Sequence, residues 1–139
     1  MSSAMLGLLS LQFLLGIISN LYFKFPDTTD QAQLWKAAWG NVATASHLII
    51  GTVIVLLGLV MLIQALRSTQ KIFSMLAIIA FVLVLLAAFG GEEFVRTQSD
   101  GYSVVMAVGF IGAMGVYGRL LATVLVAGAK QPPSQSPTN

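Results

Sequence analysis

Residues 41–67 read NVATASHLIIGTVIVLLGLVMLIQALR, and this stretch decides the fold. An α-helix rises about 1.5 Å per residue, so about 20 apolar residues cross a hydrocarbon core of about 30 Å. Between Ala43 and Leu66 the only polar side chains are those of Thr44, Ser46, His47, Thr52 and Gln64. A soluble core helix is rarely this apolar on every face. The stretch therefore predicts a transmembrane helix over residues 42–66.

The composition of the chain is typical of an integral membrane protein. Its 139 residues are 57% hydrophobic and only 9% charged, whereas soluble domains carry about 25% charged residues. We expect one membrane domain over residues 1–129 and a disordered cytoplasmic tail over residues 130–139, KQPPSQSPTN, which is rich in Pro, Ser and Gln. The absence of cysteine excludes disulfides, thiolate metal sites and a cysteine nucleophile. The few charges give no indication of nucleic-acid binding.

Three further stretches are long and apolar enough to span a membrane, at about residues 4–23, 72–90 and 102–121. The second and third spans are joined by only RSTQK, so we expect them to be antiparallel neighbours. Gly90 and Gly91 are interpreted as a helix C-cap that ends the third span. The predicted fold is all-α, an antiparallel bundle of four transmembrane helices.

A short amphipathic helix is predicted between the first two spans, at about residues 30–39. The preceding aspartates are suitable N-cap residues, and Trp35 and Trp39 recur four positions apart on one face. Tryptophans on one helix face are typical of a helix that lies in the membrane interface. The alternative is that they cover the mouth of the bundle.

Charged residues divide between the two sides of the predicted bundle. With four spans, one side holds Arg67, Lys71, Arg119 and Lys130 and no acidic residue. The other side holds all five acidic residues together with three basic ones. Cytoplasmic segments carry the excess of Lys and Arg. We therefore expect a multi-pass protein of the plasma membrane with both termini in the cytoplasm.

Small residues indicate where the helices pack. Helices in lipid approach one another closely at small side chains. The candidate packing residues are Gly51 and Gly58 in the second span, Ala77, Ala80 and Ala87 in the third, and Gly109, Gly112, Gly115 and Gly118 in the fourth. The four glycines of the last span recur every third residue and wind around the helix. They are expected to contact two neighbouring helices or a partner chain.

His47 is the only histidine, and it lies within a span near its outer end. An ionisable residue inside a span is a functional-site hypothesis, and His47 faces the same side as Gly51 and Gly58. The predicted polar cluster at the outer side contains Asn20, His47, Glu92, Glu93 and Arg96. The alternative is a neutral histidine that only hydrogen-bonds to a facing helix.

Haem is one candidate cofactor for His47. Histidine is the usual axial ligand and methionine can be the second, and Met106 lies at a similar depth in the fourth span. The run ASHLIIGTVIVLLGL, residues 45–59, resembles histidine-bearing helices of the haem A synthase and b-type cytochrome families. That resemblance implies haem binding. The second ligand would be Met106 or the His47 of a second copy.

The overall pattern is similar to a group of small four-helix bacterial membrane proteins. The resemblance rests on the aromatic-rich run Asn20–Pro26, on a histidine early in the second helix and on Gly91–Phe94 after the third. It implies a four-span fold and carries no activity with it.

These patterns favour a non-catalytic accessory or structural subunit of a larger membrane complex, or a self-associating bundle. The first alternative is a haem-binding electron-transfer protein. The second is proton, ion or small-molecule handling through His47 and Glu92 or Glu93. No Ser/His/Asp spacing, phosphate-binding glycine loop or cluster of metal ligands indicates an enzyme. The expected partners are the lipid bilayer and either other membrane subunits or further copies of this chain.

Overall fold

The protein is all-α in a computed structural model that describes residues 2–129. The five helices in this range are α1 (Ser2–Tyr22), α2 (Gln31–Gly40), α3 (Val42–Leu66), α4 (Lys71–Thr97) and α5 (Asp100–Ala129). Helices α1, α3, α4 and α5 are long and apolar enough to cross a membrane. The predicted disordered tail, residues 130–139, lies outside the described residues.

The four long helices contact one another in a ring order. Helix α1 packs against α3 and α5, and α4 packs against the same two helices, most extensively against α5. Within residues 2–129 the backbones of α1 and α4, and those of α3 and α5, do not approach each other. Only side chains can therefore occupy the centre of the ring. Large side chains fill it, and small ones leave a cavity.

Helix α2 is an amphipathic helix with a capping residue at each end. The Asp30 carboxylate accepts a hydrogen bond from the Ala32 backbone N–H at 2.9 Å, as an N-cap does. Leu34 and Ala38, four residues apart, are buried against α3 and α4, the helices on which α2 packs. Asn41 then ends α2 and caps α3, accepting from the Thr44 N–H at 3.1 Å. One residue therefore makes the corner between the two helices.

The predicted C-cap at Gly90 and Gly91 is wrong, because α4 continues through both glycines to Thr97. Gly90 is buried against α5, where an added Cβ would lie 2.6 Å from the Met106 backbone nitrogen. This glycine therefore serves a close helix contact. The helix ends instead at Gln98, whose φ of 54° lies in the left-handed region. The Gln98 side-chain amide donates to the Val95 carbonyl at 2.8 Å, which satisfies part of the helix end.

The buried core lies along the centre of the ring. It contains Met5, Leu9, Ile54, Ala80, Val84, Ala113, Tyr117 and Leu120. Large apolar side chains also cover the outside of the helices, including Leu56, Val82 and Val104. An exterior this apolar suggests contact with a lipid bilayer.

Candidate functional site

A cavity of about 530 Å³ lies between the four long helices at the end that carries α2. Its deepest lining residues belong to the core, among them Leu9 and Ile54. Asn20 lies at its outer rim, eleven residues from Leu9 on α1, which corresponds to about 16 Å along a helix. Pockets for small molecules range from about 300 to 1,000 Å³, so this cavity has the size of a ligand site.

His47 lines this cavity and is held by α1. Its Nδ1 lies 3.2 Å from the Gln12 backbone oxygen, and the Gln12 amide donates to the His47 backbone oxygen at 3.0 Å. A carbonyl oxygen can only accept, so Nδ1 carries the hydrogen in this contact. In a neutral imidazole the other nitrogen, Nε2, is then a hydrogen-bond acceptor. Nε2 has no hydrogen-bond partner among residues 2–129, so it is available to a ligand.

The reciprocal contact depends on glycines in both helices. An added Cβ at Gly16 would lie 3.1 Å from His47 Cε1, and one at Gly51 would lie 3.0 Å from Gln12 Nε2. Nearer the rim, the Ser19 and Thr44 hydroxyls are 2.7 Å apart. The interface between α1 and α3 is thus a polar one, built from side chains that sit opposite small residues.

Aromatic side chains surround the outer mouth of the cavity. Phe23 packs edge-on to Phe25 with ring centroids 4.7 Å apart, and Phe25 packs edge-on to Phe94 at 6.2 Å. All three line the cavity together with Trp35 of α2, whereas Trp39 does not line it and is 54% exposed. Trp35 therefore contributes to the cavity lining and Trp39 does not. The interfacial position of Trp35 and Trp39, and the alternative that they cover the mouth of the bundle, stay predictions.

The five residues of the predicted outer polar cluster separate into two groups. Asn20, His47 and Glu92 line the cavity. Glu93 does not line the cavity. Its carboxylate forms a salt bridge with Arg96, one turn further along α4, with 2.9 Å between nitrogen and oxygen. Glu92 and His47 are thus the ionisable side chains of the lining, and neither lysine nor arginine is found there in the described part of the chain.

Met106 lines the same cavity as His47, so the structure brings the two predicted haem ligands to one space. A haem also carries two propionate groups, and the described lining offers them no lysine or arginine. Haem binding stays a prediction from the sequence. No group of three His, Asp or Glu side chains that would hold a metal ion occurs within residues 2–129.

The candidate packing residues have different surroundings. Ala77 and Ala80 are buried, and an added Cβ at Gly109 would lie 2.7 Å from the Ala87 backbone nitrogen. Gly112 faces the Leu83 side chain and Gly58 faces Phe81, each within about 3.2 Å of an added Cβ. Gly115 and Gly118 have no heavy atom of the described chain within 4 Å of such a position. The glycine series of α5 therefore contacts α4 at Gly109 and Gly112, in the N-terminal half of α5.

Several site residues were not identified from the sequence. The sequence shows Phe23 and Phe25 only within the aromatic-rich run Asn20–Pro26, and Phe94 only after the third span. Nothing in the sequence pairs Gln12 with His47. Comparisons with protein-family models, with curated proteins and with solved structures find no match.

Proposed function

We propose that this chain is a plasma-membrane protein with four transmembrane helices in an antiparallel bundle and both termini in the cytoplasm. The ring order of the four apolar helices supports the bundle. The charge distribution supports the orientation, because the turn between α3 and α4 is flanked by Arg67 and Lys71, while Glu92, Glu93 and Asp100 lie near the opposite turn.

The orientation can be tested by cysteine labelling, since the chain has no cysteine of its own. Ser68 lies in the turn between α3 and α4, and Ser99 lies in the turn between α4 and α5; both are exposed. A membrane-impermeant maleimide added to intact cells is expected to label Ser99→Cys. It is expected to label Ser68→Cys only after permeabilisation. The reverse pattern would contradict the orientation, and equal labelling in intact cells would contradict the four-span topology.

Within this framework, the proposed function is the binding of a small, largely apolar molecule in the outer half of the membrane. The observation that carries the proposal is the cavity of about 530 Å³ lined by His47, whose Nε2 has no hydrogen-bond partner among residues 2–129. Mostly apolar pockets with a few placed polar groups are the usual form of a small-molecule site. His47 supplies the hydrogen-bond acceptor, and the apolar floor holds the body of the molecule.

Entry from the bilayer fits the exposure of the lining. Phe13, Ile17 and Ile111 all line the cavity, yet they are 49%, 40% and 65% exposed. They belong to the neighbouring helices α1 and α5, so we expect the cavity to open to lipid between these two helices. A molecule dissolved in the bilayer would enter without crossing the aqueous phase.

Native mass spectrometry of protein extracted in mild detergent tests the binding function, by comparing retained small molecules between variants. Gly91 lines the cavity, and an added Cβ there meets only the flexible Met106 sulfur at 3.4 Å. Gly91→Leu is expected to fill part of the cavity and abolish the retained mass. Gly7→Leu is the matched control, because Gly7 has open space and does not line the cavity. Equal retention by both variants would contradict the proposal.

Lateral assembly is the second candidate, as an accessory subunit or as a homo-oligomer. The open space next to Gly115 and Gly118 favours it, because glycines on a membrane helix permit close approach of another helix. The same mass spectra test this candidate through masses of larger chains or of further copies. An added mass equal to that of haem would support the electron-transfer alternative.

A further inference from the structure

We infer that the molecule bound in the cavity is a lipophilic cation, an organic ammonium or phosphonium with one positive charge on an apolar body. The inference rests on the proposed binding function and adds the chemical class of the ligand. The charges of the lining, the aromatic mouth and the order of polar and apolar groups with depth all favour such a ligand.

The charge of the lining selects against anions. Glu92 is the only carboxylate among the described residues that line the cavity, and no lysine or arginine accompanies it. His47 supplies no donor toward the cavity, because its Nδ1–H is used by the Gln12 carbonyl. The donors that remain in the lining are neutral groups, such as those of Asn20, Trp35 and Ser103. The Glu92 carboxylate therefore disfavours anionic amphiphiles such as fatty acids and attracts a cation.

The aromatic mouth adds a second attraction for a positive charge. Phe23, Phe25, Phe94 and Trp35 line the cavity together with Glu92. The face of an aromatic ring carries partial negative charge, and groups of such rings with a carboxylate recognise quaternary ammonium ions. Phenylalanine has no hydrogen-bonding group, so this mouth favours a diffuse organic cation over a hydrated metal ion.

The cavity lining is polar at its outer end and apolar at its inner end, which suits an amphiphile. Glu92 and Asn20 belong to the outer end of the cavity, and the lining residues furthest from them include Leu9, Ile54 and Val84. A molecule with a single charge at the mouth would bury its apolar part against this floor. Burial of apolar area contributes about 25 cal/mol per Å², so the apolar body supplies affinity and the mouth supplies selectivity for charge.

The neighbouring carboxylate provides a matched control. Glu93 has the same chemistry as Glu92 and the adjacent position, but it forms a salt bridge with Arg96 and does not line the cavity. Glu92 has no salt-bridge partner within residues 2–129. Glu92→Gln and Glu93→Gln remove the same charge from the same helical turn, and only the first removes it from the site.

The experiment is equilibrium dialysis with protein in phosphatidylcholine nanodiscs, with binding to empty nanodiscs subtracted. The probes are tetraphenylphosphonium and tetraphenylborate, which have nearly the same shape and opposite charge. Wild type and Glu93→Gln are expected to prefer the cation equally. Glu92→Gln is expected to weaken phosphonium binding by about fivefold or more without weakening borate binding. Gly91→Leu is expected to reduce the binding of both probes.

Two results would overturn the inference. If both probes bind to wild type and Glu92→Gln changes neither, the cavity accepts lipophilic molecules without regard to charge; the proposed function then stands and the ligand class is wrong. If wild type prefers borate, or binds neither probe, the ligand class is wrong as well. The native mass spectra of Gly91→Leu and Gly7→Leu then decide independently whether the cavity binds any molecule.

Discussion

The interfaces α4–α5 and α1–α3 both contain glycines, but those glycines face different neighbours. At α4–α5, added Cβ atoms at Gly90 and Gly109 would lie 2.6 and 2.7 Å from backbone nitrogens of the opposite helix. At α1–α3, Gly16 and Gly51 face the side chains of His47 and Gln12 at 3.1 and 3.0 Å. Glycine thus allows two backbones to touch in one interface and makes room for a polar side chain in the other.

The difference matters because lipid provides no hydrophobic drive between helices. Association then depends on close van der Waals packing and on hydrogen bonds that average about 0.6 kcal/mol each. The α4–α5 interface uses the first contribution, and the α1–α3 interface uses the second. We therefore expect the α4–α5 pair to tolerate substitution least, and the α1–α3 pair, which holds the histidine, to adjust more easily.

The largest effect is expected for Gly109→Ala, because its methyl group would overlap the Ala87 and Leu83 backbone. Overpacking of this kind costs about 1–3 kcal/mol. The measurement is the free energy of unfolding in mixed micelles with increasing SDS, followed by tryptophan fluorescence. Gly115→Ala in the same helix is the control, and its free energy of unfolding should be unchanged or higher. Equal destabilisation by both variants would show that backbone contact is not the reason.

A smaller effect is expected for Gly51→Ala in the other interface. Its methyl group would meet only the end of the Gln12 side chain, which can rotate away. We expect a loss below about 1 kcal/mol in the same unfolding measurement, near the value of one interhelical hydrogen bond. A loss as large as that of Gly109→Ala would mean that Gln12 is held as firmly as a backbone, and the contrast between the two interfaces would fail.

The smallest effect is expected for Ser19→Ala, which removes the 2.7 Å hydrogen bond to Thr44. The expected loss in free energy of unfolding is about 0.6 kcal/mol. Ser10→Ala is the control, because the Ser10 hydroxyl bonds to the Leu6 carbonyl of its own helix and is exposed. No difference between the two variants would indicate that the Ser19 bond contributes nothing to the α1–α3 interface.

The four long apolar helices follow from hydropathy, and α2 is bounded by the local caps Asp30 and Asn41. The end of α4 could not be predicted from the sequence. A glycine such as Gly90 can be a helix C-cap or a close-packing residue, and the surrounding sequence does not distinguish the two. Only the contact with Met106 and Tyr102 on α5 distinguishes the two. Such a contact depends on the relative position of two helices, and one helix alone contains no signal for it.

The candidate site, too, could be predicted from the sequence only in part. His47 stands out in the sequence as the only histidine and as an ionisable residue within a span, but its bond to Gln12 depends on the axial alignment of α1 and α3 across 35 positions of sequence. The sequence alone does not distinguish the roles of Glu92 and Glu93. A helix rotates by about 100° per residue, and this rotation brings Glu92 to the cavity and leaves Glu93 to Arg96.

The extension of α4 beyond Gly90 has a consequence for the membrane itself. Helix α1 has 21 residues, whereas α4 and α5 have 27 and 30, which gives lengths of about 32, 40 and 45 Å. A hydrocarbon core of about 30 Å matches α1, so we expect the ends of α4 and α5 to extend beyond it. The extension of α4 is polar, GEEFVRT over residues 91–97, and carries Glu92 and Phe94. We therefore expect the cavity mouth to lie among the lipid headgroups, and lipids of shorter or longer chains to change its distance from the hydrocarbon core.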